Sequence, residues 1–418
     1  MKKLFKGLVA RVLGWQVRRL RAQNKFKLVA VAGSIGKTST KFAIAQTASY
    51  KLKVLYQEGN YNDIVSVPLV FFEQTMPSVA NIFAWLKIFI YNEKLLRRPY
   101  PYDVVIVELG TDGPGQLKAF KDYLHADIGV LTAISPEHME YFVTLRAVAD
   151  EELIIGDLSD KLLVNSDLVK DEFIPNNRPI TYGFKNKADY MAEITNGTCN
   201  ISQGNRPVAS ITVPSSSTEV YSYLAASAVA EGLGLIPSDI VKGLLNIKPV
   251  PGRMNRLTGI NGCIIIDDTY NASPVAATAA LDVLYAEKAK SKIALLGNMN
   301  ELGEMSADAH RQLGAYCDPE KLDLLVTLGN DANNYTAAAA EANGCKVERV
   351  TSPYEAAEVI RPLLTKDSTL LAKGSQNGVF AEEAVKLLLD NPEDDHKLVR
   401  QSDYWLKIKK KQFGEITN

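Results

Sequence analysis

The six residues Gly33-Ser34-Ile35-Gly36-Lys37-Thr38 constrain this chain more than any other stretch. They follow Lys27–Ala32 (KLVAVA), an apolar run of small and β-branched residues that predicts a buried parallel strand. A helical stretch from Lys37 to about Tyr50 comes after them. A glycine-containing turn between strand and helix lets backbone N–H groups approach phosphate oxygens, and the helix start adds partial positive charge. In that setting Lys37 would meet the β- and γ-phosphates of a nucleotide, and the Thr38 hydroxyl would ligate Mg²⁺. The full phosphate-loop pattern has glycine where Val31 stands, so the match is to a shortened form.

Further strands are expected at Lys53–Tyr56, Asp103–Leu109, Ile128–Ala133 and Lys161–Asn165, with helical segments between most of them. That alternation predicts a doubly wound α/β domain. A more polar stretch, 185–220, holds strand-like pieces and turns. Val220–Gly234 reads as an Ala-rich helix ended by glycine. After a Pro-Gly turn near 250, a second α/β series is expected at Cys263–Asp267, Ile293–Gly297, Leu324–Gly329 and Ser368–Ala372. The expected organisation is a basic helix over 1–27, a nucleotide-binding domain over 28–250 and a smaller Rossmann-like α/β domain over 251–418.

A length of 418 residues implies more than one core, and 46% hydrophobic with 23% charged residues is ordinary for a globular chain. The net charge of −1 gives no bias toward nucleic acid. Four scattered cysteines and four histidines lack metal-ligand spacing and fit a reducing, cytoplasmic setting. The most apolar window, Ile82–Tyr91, is too short to span a bilayer and contains Lys87. Residues 1–27 hold nine Lys or Arg and no acid, with apolar residues at helical spacing. Two readings stand for them: a helix lying on the anionic inner membrane surface, or a basic amphipathic helix packed on its own domain or a partner.

The loop specifies a nucleotide and leaves the reaction open; other motifs narrow it. GSIGKTST resembles the ATP loop of the Mur ligases, which begins at the glycine matching Gly33. GNYNDIVSVP (59–68), VELG (107–110), ISPEHMEYF (134–142), GR (252–253), DDTYNASP (267–274), LGNMNELGEMS (296–306) and AKGS (372–375) follow in that family's order, over about 28–390. DDTYNASP and the NMNELG run are similar to the D-alanyl-D-alanine-adding branch.

The resemblance implies a P-loop central ATPase domain, a C-terminal Mur ligase domain, and amide synthesis through an acyl phosphate with ATP and Mg²⁺. It implies nucleotide contacts from Gly33, Ser34, Ile35, Gly36, Lys37, Thr38 and Ser39. Thr38, Glu108, His138 and Glu152 would be metal ligands. Arg253 would contact the γ-phosphate when the domains close, Asp268 the ribose or Mg-linked water, and Asn271 the adenine. Asn60 and Asn62 would face the acceptor, and Lys373 and Ser375 the carboxylate of the incoming amine. Lys37, Glu108, His138, Arg253 and Lys373 form the expected catalytic set. The substrates would be a precursor peptide and D-alanyl-D-alanine or another amine.

Three departures qualify this picture. The family's carbamylated lysine is replaced by Glu152, which keeps the charge with a reach roughly 4 Å shorter. A His-Asn pair and a later Asn are replaced by Thr218, Glu219 and Ser222. The segment 1–27 ahead of the expected nucleotide-binding domain is too short for the domain with which this branch grips a UDP-sugar. A ligase for another amino acid or polymer acceptor, a nucleotide-binding subunit without ligase activity, and a kinase are the competing readings. Phosphate release requiring both amine and acceptor separates a ligase from the other two.

Overall fold

The computed structural model describes residues 2–59, 61–78, 81–176, 178–212 and 217–414. The chain divides into two compact units. The first comprises the residues up to Ser135 and Tyr141–Lys248; the second comprises Pro136–Glu140 and Pro249–Asn418.

Among the described residues, the first unit is built on a nine-stranded sheet. Its strands are β1 (Lys27–Ala32), β2 (Val54–Tyr56), β3 (Val104–Glu108), β4 (Ala126–Leu131), β5 (Ser159–Asn165), β6 (Ile180–Gly183), β7 (Tyr190–Thr195), β8 (Thr198–Gln203) and β9 (Arg206–Thr212). Their spatial order is β2-β3-β1-β4-β5-β6-β7-β8-β9. Pairing is parallel from β2 to β7, and β7, β8 and β9 pair antiparallel. β1 is therefore flanked on both sides, and its alternation shows why the run is apolar throughout. Leu28, Ala30 and Ala32 enter the core on one face, and Val29 and Val31 enter the core on the other. Each fully buried Val or Leu contributes about 1.5–3 kcal/mol.

Four helices position the site and the outer surface of this unit: α1 (Lys2–Gln23), α2 (Lys37–Ala48), α3 (Ser66–Val70) and α4 (Ile82–Leu95). α1 packs its inner face, Val9, Leu13, Val17 and Leu20, into the first unit. Lys6 pairs with Asp63 at 2.9 Å and Arg19 with Glu93 at 2.8 Å. Of the two readings of this segment, packing on its own domain accounts for that face. No helix among the described residues is long and apolar enough to cross a membrane.

The second unit carries β10 (Asn255–Thr258), β11 (Ile264–Asp268), β12 (Ser291–Gly297), β13 (Leu324–Leu328), β14 (Val347–Val350) and β15 (Ser368–Lys373). The order is β10-β11-β15-β12-β13-β14, parallel except for β10. Ile265 and Ile266 of β11 again enter opposite cores. β6, β10 and β14 were not expected from the sequence. Each has four residues, too few to establish a period, and β10 and β14 are edge strands with half-exposed faces. The Ala-rich helix spans Ser217–Gly232.

Candidate active site

Parallel α/β sheets bring their loops together at the carboxyl edge of the strands, and both groups of motifs lie at such edges. In the first unit, β1 ends at Gly33, whose φ is +122°. A Cβ there would lie 2.4 Å from Thr132 Oγ1 and 2.8 Å from the Ala133 nitrogen, so only glycine fits against the end of β4. Gly36 is left-handed at φ +83° and starts α2. The Ser34 N–H donates to the Ala133 carbonyl at 3.0 Å, and the Ser34 hydroxyl accepts from the Ser135 N–H at 2.7 Å. The loop is thus fastened to the two central strands, and Lys37 Nζ donates to the Gly33 carbonyl.

Two expected acids stand beside this loop. Glu108 ends β3 and is 4% exposed. Its Oε1 accepts from the Thr38 hydroxyl at 3.3 Å, joining two residues assigned to Mg²⁺. Its Oε2 lies 3.2 Å from Lys41 Nζ, a charge contact without an aligned hydrogen bond. Glu152 is fully buried, and its Oε2 accepts from the Gly33 N–H at 2.7 Å. The acidic pair Glu151-Glu152 is therefore not a solvated surface. Glu151 points elsewhere and accepts from the Gly115 and Leu117 N–H groups, both at 2.6 Å. The chemistry of this donor set, a hydroxyl and carboxylates, suits Mg²⁺, which takes oxygen ligands and completes its shell with phosphate oxygens and water. Among the described residues no three His, Cys, Asp or Glu side chains form a metal cage by themselves.

Lys41 was not expected from the sequence. It lies four residues after Lys37 on one helix face, which was the available signal, but its burial at 1% exposure is a tertiary fact. Its Nζ also lies 3.5 Å from the Gly59 carbonyl. Asn62 closes the same region, its carbonyl accepting from the Gly110 N–H at 2.9 Å just beyond β3. Asn60 lies outside the described residues, as does the side chain of Thr218. Ser222, at the position of a family Asn, sits with its hydroxyl 3.5 Å from that of Thr40 on α2.

His138 belongs to the second unit. Its φ is +48°, and its Nδ1 lies 3.0 Å from Glu301 Oε2. Hydrogen bonding to His138 holds the Glu301 carboxyl below the usual range. Glu301 is a second residue not singled out from the sequence.

The other motifs of the second unit converge at the carboxyl ends of β11, β12 and β15. The β11–β15 register sets Asp268 opposite Lys373. Lys373 is 3% exposed, and its Nζ donates to Asp268 Oδ2 at 2.5 Å and to the Asn271 carbonyl at 2.9 Å. The Ser375 hydroxyl donates to the Ala272 carbonyl at 3.2 Å and accepts from the Asn300 N–H at 2.9 Å. Asp267 accepts from the Gly252 N–H at 3.0 Å, and Asp268 from the Met254 N–H at 3.2 Å. These bonds lock the Gly252-Arg253 turn to DDTYN. Burial pushes the Asp267 carboxyl up to about 6. The Arg253 guanidinium stacks 4.1 Å from the Tyr270 ring centroid. Behind this loop Arg400 donates to the Thr269 and Tyr270 carbonyls at 2.6 and 3.0 Å and pairs with buried Glu382 at 2.7 Å.

His310, for which no role was expected, is fully buried and organises the NMNELG loop. Its Nε2 accepts from the Met299 N–H at 3.0 Å, and its Nδ1 faces the Ser306 carbonyl at 2.8 Å. That pattern is the neutral ring with the proton on Nδ1. Burial lowers its pKa below the ordinary 6.5. The unfolded chain therefore binds the proton more readily, and this contribution to stability is full above 6.5 and lost as pH falls through the folded value. His310→Leu should cost about 1–3 kcal/mol by orphaning the Met299 N–H. Urea unfolding should show a larger gap between wild type and variant at about pH 8 than at about pH 5. An equal gap at both would show that protonation does not break this contact.

A shortened phosphate loop with buried acids at one sheet edge, and a second α/β unit with a buried Lys-Asp pair at its own, define a two-unit nucleotide-dependent ligase architecture. The family models "Mur ligase middle domain" and "Mur ligase, glutamate ligase domain" match residues 31–230 and 252–376. The chain belongs to the Mur ligase family. It is 26% identical over 378 residues to the UDP-N-acetylmuramoyl-tripeptide–D-alanyl-D-alanine ligase of Bacillus subtilis, covering 88% of this chain and 76% of that protein. The Haemophilus influenzae protein of the same name is 29% identical over 391 residues, covering 87% and 77%. Among solved structures, a MurF of Acinetobacter baumannii superposes with a TM-score of 0.74 at 22% identity, covering 92% of this chain and 81% of that one. A MurF of Thermotoga maritima solved with ADP gives 0.72 at 20%, covering 93% and 84%.

Proposed function

We propose that this chain is an ATP-dependent ligase that adds D-alanyl-D-alanine to a cell-wall precursor peptide through an acyl phosphate. The observation that carries the reading is the junction of the Gly33–Thr38 loop, Glu108 and Glu152 at one sheet edge of a Mur ligase chain. In the first step a carboxylate oxygen of the acceptor attacks the γ-phosphorus and ADP leaves. In the second the amine nitrogen attacks the acyl carbon, phosphate departs, and the nitrogen loses a proton. Negative charge gathers at the phosphates, where Lys37 and the helix start of α2 supply the opposite sign. Thr38 would hold one Mg²⁺, Glu108 and His138 are assigned to a second, and Glu152 is the carboxylate in the place of the family's carbamylated lysine; bound Mg²⁺ would neutralise charge on the transferring group.

Arg253 is assigned to the γ-phosphate, Asp268 to the ribose or Mg-linked water, Asn271 to the adenine, and Asn60 and Asn62 to the acceptor. Lys373 and Ser375 are assigned to the carboxylate of the amine. Lys373 Nζ gives two of its three N–H groups to Asp268 and the Asn271 carbonyl, and the third is the one that would meet that carboxylate.

Phosphate release from ATP, assayed with UDP-muramoyl peptides, free peptides and D-alanyl-D-alanine, tests the reading. Release should require both acceptor and amine. A stable phosphorylated product would indicate a kinase, and binding without turnover across the panel a non-catalytic subunit.

Glu152 carries its own expectation. A carboxylate supplied by glutamate needs no carbamylation, so activity should be indifferent to bicarbonate. Glu152→Gln should raise the Mg²⁺ concentration needed for half-maximal rate by at least ~10-fold, the equivalent of one charge-assisted contact. Bicarbonate stimulation of the wild type, or an unshifted Mg²⁺ titration in the variant, would remove Glu152 from this role.

A further inference from the structure

The inner face of α1 is consumed by packing, yet the first unit presents a second apolar surface that the described residues leave open. Leu8 and Trp15 on α1, and Ile82, Phe83, Leu86 and Ile90 on α4, are 47–79% exposed, Phe83 the most. Six large apolar side chains on two neighbouring helices exceed the scattered exposure that a surface tolerates.

Side-chain contacts fix their relation. Gln16 Nε2 donates to the Phe89 carbonyl at 3.1 Å, Asn92 Nδ2 donates to Gln16 Oε1 at 2.9 Å, and Arg19 pairs with Glu93 at 2.8 Å. The helices therefore run side by side in the same direction, with an offset of 73–77 residues. This sets Leu8 level with Ile82 and Phe83, and Trp15 level with Phe89 and Ile90. Helical geometry, at about 100° per residue, turns Leu8 and Trp15 toward α4. Ile82, Leu86 and Ile90, four residues apart, form one line on the outer side of α4 next to them. The result is one apolar strip shared by both helices.

The border of the strip is cationic. Arg11 and Arg18 lie on the far side of α1's outer face, and Lys87 and Lys94 on the far side of α4's; all four are exposed. α1 contains no acid. The one acid of α4, Glu93, is neutralised by Arg19. An apolar strip between two cationic rows has the form of an interfacial membrane contact. A second copy docking face to face would set like-charged rows against each other.

We propose that this α1–α4 face docks the protein on an anionic lipid bilayer surface, with Phe83, Leu86, Ile90 and Trp15 inserted among the acyl chains and Arg11, Arg18, Lys87 and Lys94 at the headgroups. This docking is independent of the reaction assigned above. Insertion uses the outer side of α1 and the whole outer side of α4; the buried side of α1 stays in the fold.

Vesicle co-sedimentation of the full chain tests it. The protein should bind phosphatidylglycerol-containing vesicles at low salt, bind phosphatidylcholine vesicles weakly or not at all, and lose binding as salt rises. Trp15 emission should shift to the blue on binding, a shift absent in Trp15→Tyr. Phe83→Ser with Leu86→Ser should lower the partition coefficient at least ~10-fold, and Lys87→Glu with Arg11→Glu should abolish binding. All four positions are exposed, so thermal unfolding should be unchanged; a variant that does unfold is replaced by Ile90→Ser, read in the same way. Failure of the full chain to bind, binding indifferent to the serine variants, or a stable dimer disrupted by them without vesicles would overturn the proposal.

Discussion

Lys37→Ala is expected to lower the rate of ATP-dependent phosphate release by at least ~10², the scale of one preorganised electrostatic contact to a developing charge. Lys37 follows Gly36 at the first position of α2, and its Nζ turns back over the loop to the Gly33 carbonyl. The loop itself is held by Ser34, Ala133 and Ser135, not by Lys37 alone. The variant should therefore fold with nearly the wild-type melting temperature while losing turnover. Measured kcat and nucleotide affinity will separate the cases. Turnover within a few-fold of wild type would refute the phosphate-loop assignment.

The second large effect concerns Lys41. With Lys41 1% and Glu108 4% exposed, their pair is removed from water on both sides. Deleting one member of such a pair leaves an uncompensated buried charge and costs about 3–5 kcal/mol. Lys41→Met should therefore destabilise the first unit by that amount in urea unfolding. It should also cut activity, because Glu108 loses the cation that holds it in place beside Thr38. Adding Glu108→Gln should restore much of the stability and none of the activity. Equal instability of the double and single variants would show that lost packing of the long lysine stem, not charge, is responsible.

These two lysines mark how far local sequence reaches. Lys37 is legible because its neighbours dictate its surroundings: an apolar run, two glycines and a helical stretch make a strand-loop-helix turn in almost any context. Lys41 looks like one more exposed helix residue until β3 brings Glu108 against it from beyond β2, α3 and α4. Glu152 lies between the two. The resemblance placed it at the metal site, but its own context, an acidic pair on a helix, does not say which acid turns inward. The structure buries both acids and divides them, Glu151 to the 111–117 turn and Glu152 to the Gly33 N–H 119 residues earlier.

Local sequence was enough for the central strands, the phosphate loop and the α/β class, because strand burial and glycine conformation are written in runs of a few residues. It carried the order of the family motifs, but not that Gly252-Arg253, DDTYN, Asn300 and Ser375 would be bonded into one edge of the second sheet. It left α1 with two readings, because an amphipathic period shows that a face is apolar and not what covers it. Contacts distant in sequence made the inner side of α1 core, and left the exposed apolar strip on its outer side and on α4. One cause runs through all of these cases. Periodicity and turn chemistry are local, whereas charge pairing, burial of single polar groups and the covering of faces depend on contacts that close loops of tens to hundreds of residues.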